Sequence, residues 1–301
     1  MSDFRSLQDF GSLSYRVLRK YLNQNPVTKH NSIETYSDIY VRSSNAAMTF
    51  LSSFDGLLWF LIALMALVFL QRALHREIQA AFLILTRRPG VTQAVFALIF
   101  LPGVFLHEFS HFSMAKLLGI QTGNFSLIPQ AQTNGKLRLG YVETVSGGFI
   151  RDALVGAAPL VTGSLFVAFA AIYRLHLLPL WDFIRMAEWN GFWAGLMAVP
   201  KVPDFWLWFY LTFTISSTMM PSASDRHAWF PLGLLVGILV GIAILAGAGP
   251  WMLENLAPPF NSFLRALALI FGLSGVLHAL LILPFVLLHR LLARLTGVDI
   301  G

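Results

Sequence analysis

Two histidines and a glutamate in His107-Glu108-Phe109-Ser110-His111 have the types and spacing needed to bind a metal ion and hydrolyse a bond. Residues four apart share one face of a helix, so His107 and His111 can offer imidazole nitrogens to the same ion. Glu108 lies beside them and can act as a general base, and zinc is the metal typically bound by such a pair. The motif therefore predicts a zinc-dependent hydrolytic site; two hydrogen-bonded bundle histidines are the alternative.

The motif lies inside an apolar run, residues 95–118, that is long enough to cross a bilayer. Hydrophobic residues make up 56% of the chain, charged residues only 12%, and the mean hydropathy is +0.66. An ordinary soluble domain has about 25% charged residues, so this composition predicts a polytopic membrane protein in contact with the lipid bilayer. The net charge of +6 is spread over loops between apolar segments, which favours lipid headgroups and not nucleic acid as the partner.

We predict an all-α polytopic membrane fold with about six transmembrane helices, because about 20 apolar residues cross the hydrocarbon and six segments approach that length. The predicted spans are residues 56–74, 93–118, 152–173, 205–221, 229–248 and 263–289. Residues 1–47 are predicted to form a separate polar segment, either a basic amphipathic helix or a loosely ordered tail, ahead of a membrane domain at 48–301. The compact core and the lack of an evident organelle signal favour a bacterial plasma (inner) membrane.

A polar interval at residues 120–146 follows the metal-bearing segment and has the pattern of a small β-hairpin. Asn134-Gly135 stands between two short runs of partly alternating character, and this dipeptide favours a tight turn because both residues readily adopt positive φ. An edge strand here could pair with an extended peptide, and an ordinary surface loop is the alternative. The candidate substrate-binding residues are Asn124, Phe125, Ser126 and Leu127.

A catalytic zinc takes three protein ligands and keeps one position for water, so a third ligand has to come from elsewhere in the chain. Cysteine is absent, which leaves histidine and the carboxylates. Asp225 is the strongest candidate, because Pro221 breaks the preceding helix and small residues let the carboxylate turn back into the bundle; a helix-capping role is its alternative. The other candidates are Asp152, which beside Arg151 better fits a cap or a juxtamembrane pair, His278, which better fits a hydrogen-bonded bundle histidine, Asp182, Glu143 and Asp204.

The combination of His107-Glu108-x-x-His111 in one span and an aspartate beyond a proline two spans later resembles the site-2 protease family of intramembrane zinc metalloproteases. The resemblance covers residues 93–228, a three-span catalytic core with its hairpin. It implies one zinc ion per chain held by His107, His111 and Asp225, with Glu108 as the catalytic base. It also implies that transmembrane helices of protein substrates enter the bundle and unwind beside a β-strand edge.

The chain departs from the family pattern at three positions, so the resemblance implies a divergent member. Thr218 stands three residues before Pro221 where the family commonly has asparagine, and Arg226 follows Asp225 in place of glycine. The third span also lacks the asparagine that the family has after Pro159. Two other functions stay open: a catalytically silent scaffold that binds transmembrane helices, and a transporter that moves protons or metal ions.

Overall fold

The computed structural model of the protein describes residues 55–127, 130–131 and 137–298, and these residues are mostly helical. The predicted N-terminal polar segment and the predicted domain boundary at residue 47 lie outside them. In chain order the helices are α1 (Asp55–Thr86), α2 (Pro89–Ile99), α3 (Leu101–Leu117), α4 (Phe149–Phe169), α5 (Leu178–Arg185), α6 (Trp189–Ala198), α7 (Phe205–Thr218), α8 (Trp229–Ala243), α9 (Gly249–Asn255) and α10 (Ala257–Thr296). The strands between α3 and α4 are β1 (Thr122–Ser126), β2 (Gln130–Ala131), β3 (Leu137–Arg138) and β4 (Tyr141–Thr144).

Four helical segments are long and apolar enough to cross a membrane, and the bent pair of α2 and α3 makes a fifth if it counts as one span. The four are α1, α4 with the π-helical turn that extends it to Arg174, α8 with α9, and α10. Many of their exposed side chains are apolar; Phe69 is 71% exposed and Leu245 is 90% exposed. Such helices are compatible with a multi-pass membrane protein, but the six predicted spans are not confirmed within the described part of the chain.

The second predicted span is broken at Phe100, where α2 and α3 meet at an angle of 70°. Pro102 lies in the first turn of α3, and a proline lacks the amide hydrogen and clashes with the preceding turn of a helix. The carbonyl of Ile99, the last residue of α2, accepts a hydrogen bond from the Tyr210 hydroxyl at 2.8 Å. The bend therefore starts a new helix, α3, and this helix carries the motif.

The fourth predicted span, residues 205–221, contains only the 14-residue helix α7. At 1.5 Å per residue this helix is about 21 Å long, which is short of a hydrocarbon core of about 30 Å. It packs against α3, α4 and α10, and its second half is buried, with Ser217 only 1% exposed and Met219, just beyond it, 2% exposed. The helix therefore ends inside the bundle instead of crossing as a full span.

The two longest helices, α1 and α10, lie side by side and run in the same direction. The Gly56 amide donates to Asn261 Oδ1 at 2.7 Å near their first residues, and Glu77 Oε2 lies 2.7 Å from His289 Nδ1 nearer their ends. Between these contacts Leu67 and Phe271 share a buried apolar cluster.

The segment between α3 and α4 is an antiparallel hairpin, as the sequence predicts. β1 pairs with β4, with Phe125 opposite Val142, and β2 pairs with β3, with Gln130 opposite Arg138. Along the chain, the β2–β3 pair lies between β1 and β4, so the two pairs are nested. The predicted turn at residues 134–135 lies outside the described residues.

Candidate metal centre

Helix α3 carries the three motif residues into the interior of the bundle. Glu108 is 8% exposed and His111 is 7% exposed, while His107 is half-buried. α3 approaches α7 closely at Gly103, where an added Cβ would lie 2.3 Å from the Thr214 carbonyl oxygen. Because Gly103 has no side chain, the end of α7 can lie beside the turn of α3 that holds His107.

Asp225 lies in the turn that follows α7, and two contacts hold this turn against α4. An added Cβ at Gly156 would lie 1.9 Å from the Asp225 carbonyl oxygen, so only glycine permits the approach. The Trp229 indole N–H donates to the Ala153 carbonyl at 3.2 Å. Within the turn the Ser222 amide donates to Asp225 Oδ2 at 2.7 Å, which orients the carboxylate.

The structure brings His107, His111 and Asp225 together. The two histidine Nε2 atoms are 3.2 Å apart, His111 Nε2 lies 3.4 Å from Asp225 Oδ1, and His107 Nε2 lies 3.7 Å from Asp225 Oδ2. Across the described ranges, this is the one group of three histidine or carboxylate residues whose ligand atoms are close enough to hold a metal ion. The three predicted metal ligands therefore share one site.

Backbone carbonyls orient both imidazole rings. His107 Nδ1 lies 2.7 Å from the Thr218 carbonyl oxygen at the end of α7, and His111 Nδ1 lies 2.9 Å from the Val155 carbonyl oxygen in α4. Because a carbonyl can only accept, each Nδ1 carries a proton, and in the neutral ring each Nε2 then presents a lone pair. In that form two lone pairs and the Asp225 carboxylate would face one another, and a cation among them would relieve their repulsion.

The distances between these atoms would also accommodate a shared ion. Charge-assisted N–H···O bonds are about 2.7–2.9 Å long, whereas the two distances from histidine to carboxylate are 3.4 and 3.7 Å. Ligand atoms about 2.0–2.1 Å from a tetrahedral ion are about 3.3 Å from each other. Two imidazoles and one carboxylate form a donor set that Zn²⁺ and related divalent transition metals accept.

The Asp225 carboxyl is held in its charged form. Burial raises its pKa, but when no ion is bound the hydrogen bonds from His107 and His111 and the contact with the Ser222 side chain lower the pKa by more, so the pKa lies well below its ordinary value. An ionised carboxylate is the form that binds metals. The end of α7 beside His107 adds the negative end of a helix dipole, which also favours a cation.

A cavity of about 1510 Å³ opens beside these groups, and Glu108 lines it together with the three clustered residues. Glu108 lies against the hairpin, since an added Cβ at Gly140 would be 2.9 Å from Glu108 Cγ. The side of the cavity formed by α1 and α2 includes His75, Arg76, Gln79 and Gln93. A buried carboxylate, a candidate metal centre and room for several residues of a peptide therefore lie in one place.

The part of the hairpin that lines the cavity is its returning strand. Gly140, Val142 and Thr144 all line the cavity, and residues two apart on a strand lie on the same face. Leu139 also lines it. One face of β4 and the residues just before it therefore form a wall of the site.

The first strand, which the sequence predicts to contact substrate, lies outside the lining of this cavity. The four predicted residues do not line the cavity, as far as the described residues define it: Asn124, Phe125, Ser126 and Leu127. The Leu127 side chain packs on the apolar cluster around Phe100, and the Phe125 ring contacts Phe112. Both runs of the hairpin have similar alternation, so the sequence did not indicate which strand would face the site.

The other candidates for the third ligand have different partners. Asp152 accepts hydrogen bonds from the Ser146 hydroxyl at 2.6 Å and the Gly147 amide at 2.8 Å, which secures the start of α4. His278 is fully buried, and its Nε2 lies 2.8 Å from the Ser217 hydroxyl. Also outside the cluster are Asp182, Glu143 and Asp204.

Sequence reasoning missed the groups that hold the ligands in place. The carbonyls of Thr218 and Val155 carry no sequence signal, because every residue has a carbonyl. Gly140 and Gly156 did carry a sequence signal, since a glycine among residues of regular structure often marks a close approach of another chain segment.

The fold and the site define a helical protein with membrane-length helices and a candidate metal centre beside the end of a short helix. Comparisons of the chain with models of protein families, with characterised proteins and with solved structures give no match. The function is therefore inferred from the site alone.

Proposed function

We propose that the chain is an intramembrane zinc metalloendopeptidase, a divergent member of the site-2 protease family, acting in a bacterial plasma membrane. The observation that carries the proposal is the convergence of His107, His111 and Asp225 beside the buried Glu108. Ionisable groups among membrane-length helices are costly, so four of them in one place support a shared chemical role.

His107, His111 and Asp225 would hold one zinc ion per chain. When bound, the ion supplies a Lewis acid that polarises the scissile carbonyl and lowers the pKa of a water towards about 7. The Thr218 and Val155 carbonyls hold the two imidazole rings so that both Nε2 atoms point to the same place.

Glu108 is assigned to proton transfer. It follows His107 directly on α3, stands outside the group of three clustered ligands, and lines the same cavity. Its carboxylate accepts a proton from the attacking water and returns a proton to the leaving amine as the peptide bond breaks.

The cavity suits an extended peptide segment. Its volume of about 1510 Å³ exceeds the ~300–1,000 Å³ of small-molecule pockets, and one wall is the strand face of Gly140, Val142 and Thr144. Peptide bonds in an intact helix are shielded by their own hydrogen bonds, so a transmembrane substrate has to unwind before it meets Glu108. The proposed substrates are therefore transmembrane segments of membrane proteins, with helix-breaking residues near the cut.

The proposal is tested by separating metal binding from turnover. Detergent-purified protein should hold one zinc ion per chain and cut a test transmembrane substrate. Glu108→Gln keeps the shape of the side chain and removes the base, so zinc should stay while the rate falls at least about a hundredfold.

Other outcomes favour other functions. Unchanged cleavage by Glu108→Gln, or wild-type protein without bound zinc, contradicts the proposal. Bound zinc with no cleavage favours the helix-binding scaffold. Zinc or proton movement across proteoliposomes, again with no cleavage, favours the transporter.

A further inference from the structure

The end of α7 is held by polar contacts from other helices. The last carbonyls of a helix have no partner within it, and inside a membrane bundle other side chains have to supply one. The Gln71 amide from α1 donates to the Ser217 carbonyl at 2.5 Å, and His107 Nδ1 from α3 donates to the Thr218 carbonyl at 2.7 Å. Gln71 and His107, a candidate metal ligand, therefore donate to consecutive carbonyls at the end of α7.

The Ser217 side chain has a further partner on α10. His278 Nδ1 lies 2.7 Å from the Ser274 carbonyl oxygen, so it carries the proton, and His278 Nε2 accepts from the Ser217 hydroxyl at 2.8 Å. Ser217 is 1% exposed and His278 is 0% exposed, so water does not compete for these contacts. Gln71, Ser217 and His278 are named the Ser217 clamp.

We infer that the Ser217 clamp positions His107, an inference that rests on the proposed function in taking His107 as a metal ligand. Gln71 and His278 are not among the clustered ligands. They act on Ser217, whose neighbour Thr218 presents the carbonyl that fixes the His107 ring.

The clamp acts through the protonation and direction of the His107 ring. The Thr218 carbonyl keeps the proton on His107 Nδ1 and aims His107 Nε2 at the site. If Ser217 loses its partners, the Thr218 carbonyl is free to turn. The proton on His107 Nδ1 and the direction of His107 Nε2 are then less firmly fixed. Loss of a partner that orients a ligand typically lowers metal affinity by about 10–100-fold.

A purely structural role for the clamp makes a different prediction. The contact of the Gly56 amide with Asn261 Oδ1 joins α1 to α10 at 2.7 Å, and Asn261 is 7% exposed. Loss of this contact or of the Gln71 contact removes a buried hydrogen bond and lowers stability. Only loss of the Gln71 contact should change the metal site.

The test compares Gln71→Met with Asn261→Ala in the full chain, purified in detergent. Gln71→Met keeps a flexible side chain and removes the amide donor, so zinc affinity measured against a competing chelator should fall at least about tenfold. The visible absorption of the Co²⁺-loaded protein should change as well. Asn261→Ala should lower the thermal midpoint and leave both metal readouts unchanged. Gln71→Asn, which shortens the reach of the amide, should show the same metal effect if Gln71→Met does not fold.

A Gln71 variant with wild-type zinc affinity and a wild-type Co²⁺ spectrum, changed only in its thermal midpoint, overturns the inference. Wild-type protein that binds zinc and cleaves nothing overturns the protease function and leaves the comparison of the clamp variants intact. The two failures are therefore distinguishable.

Discussion

Gly156 has no room for a side chain, and its replacement by alanine should damage the metal centre without replacing any candidate ligand. An added Cβ would lie 1.9 Å from the Asp225 carbonyl oxygen, and real Cβ atoms essentially never come within 3.0 Å of another heavy atom. The Asp225 backbone and α4 would have to separate by about 1.1 Å, the difference between the two. Metal sites tolerate about 0.2 Å in ligand distance, so Asp225 should no longer ligate in its original position.

We expect Gly156→Ala to weaken zinc binding about a hundredfold, or about 2.8 kcal/mol. Alanine favours a helix over glycine by about 1 kcal/mol, so a poorer helix cannot explain the loss. Titration against a competing chelator measures the affinity, and circular dichroism checks that the bundle is intact.

Gly233→Ala in α8 is the matched control, because an added Cβ there meets no described atom within 4 Å. It should leave zinc affinity unchanged. Gly156→Ala with wild-type zinc affinity would show that the packing of the Asp225 turn on α4 does not control the site.

Four further single variants test the individual side chains. His107→Ala or His111→Ala should leave zinc substoichiometric in an assembled bundle, and full occupancy in the double variant would rule out ligation by this pair. Asp225→Asn should weaken zinc binding at least about tenfold and lower activity with it; a change in thermal midpoint alone would instead indicate a capping role. Asp152→Ala should lose the bonds from Ser146 and Gly147, at a cost of about 1 kcal/mol in unfolding free energy, and a loss of zinc in this variant would contradict a purely structural role at the start of α4.

The parts of the site that follow local rules were predictable from the sequence. The helical repeat places His107 and His111 on one face, and Pro221 with the small residues after it marks a helix end from which Asp225 can turn inward. The structure places all three side chains together. The hairpin also followed from Asn134-Gly135 and its flanking runs.

The parts that depend on distant partners were not predictable. Residues 205–221 are apolar enough to read as a full span, and nothing in them shows that Gln71 and His107 satisfy the carbonyls at the end of α7. The choice between the two strands of the hairpin likewise depends on Gly140 packing against Glu108. Both outcomes require knowledge of which segments become neighbours.

The candidate ligands lie on α3 and in the turn after α7, on either side of the whole stretch of chain that contains α4. A metal bound to His111 and Asp225 would link the two ends of a stretch of roughly 114 residues, whose closure costs conformational entropy on folding. Because such an ion binds only the folded chain, it would stabilise the fold by about 2.7 kcal/mol at a free concentration of a hundred times Kd. The ion would then cross-link and stabilise the folded bundle, and the melting temperature would depend on the metal concentration around the membrane.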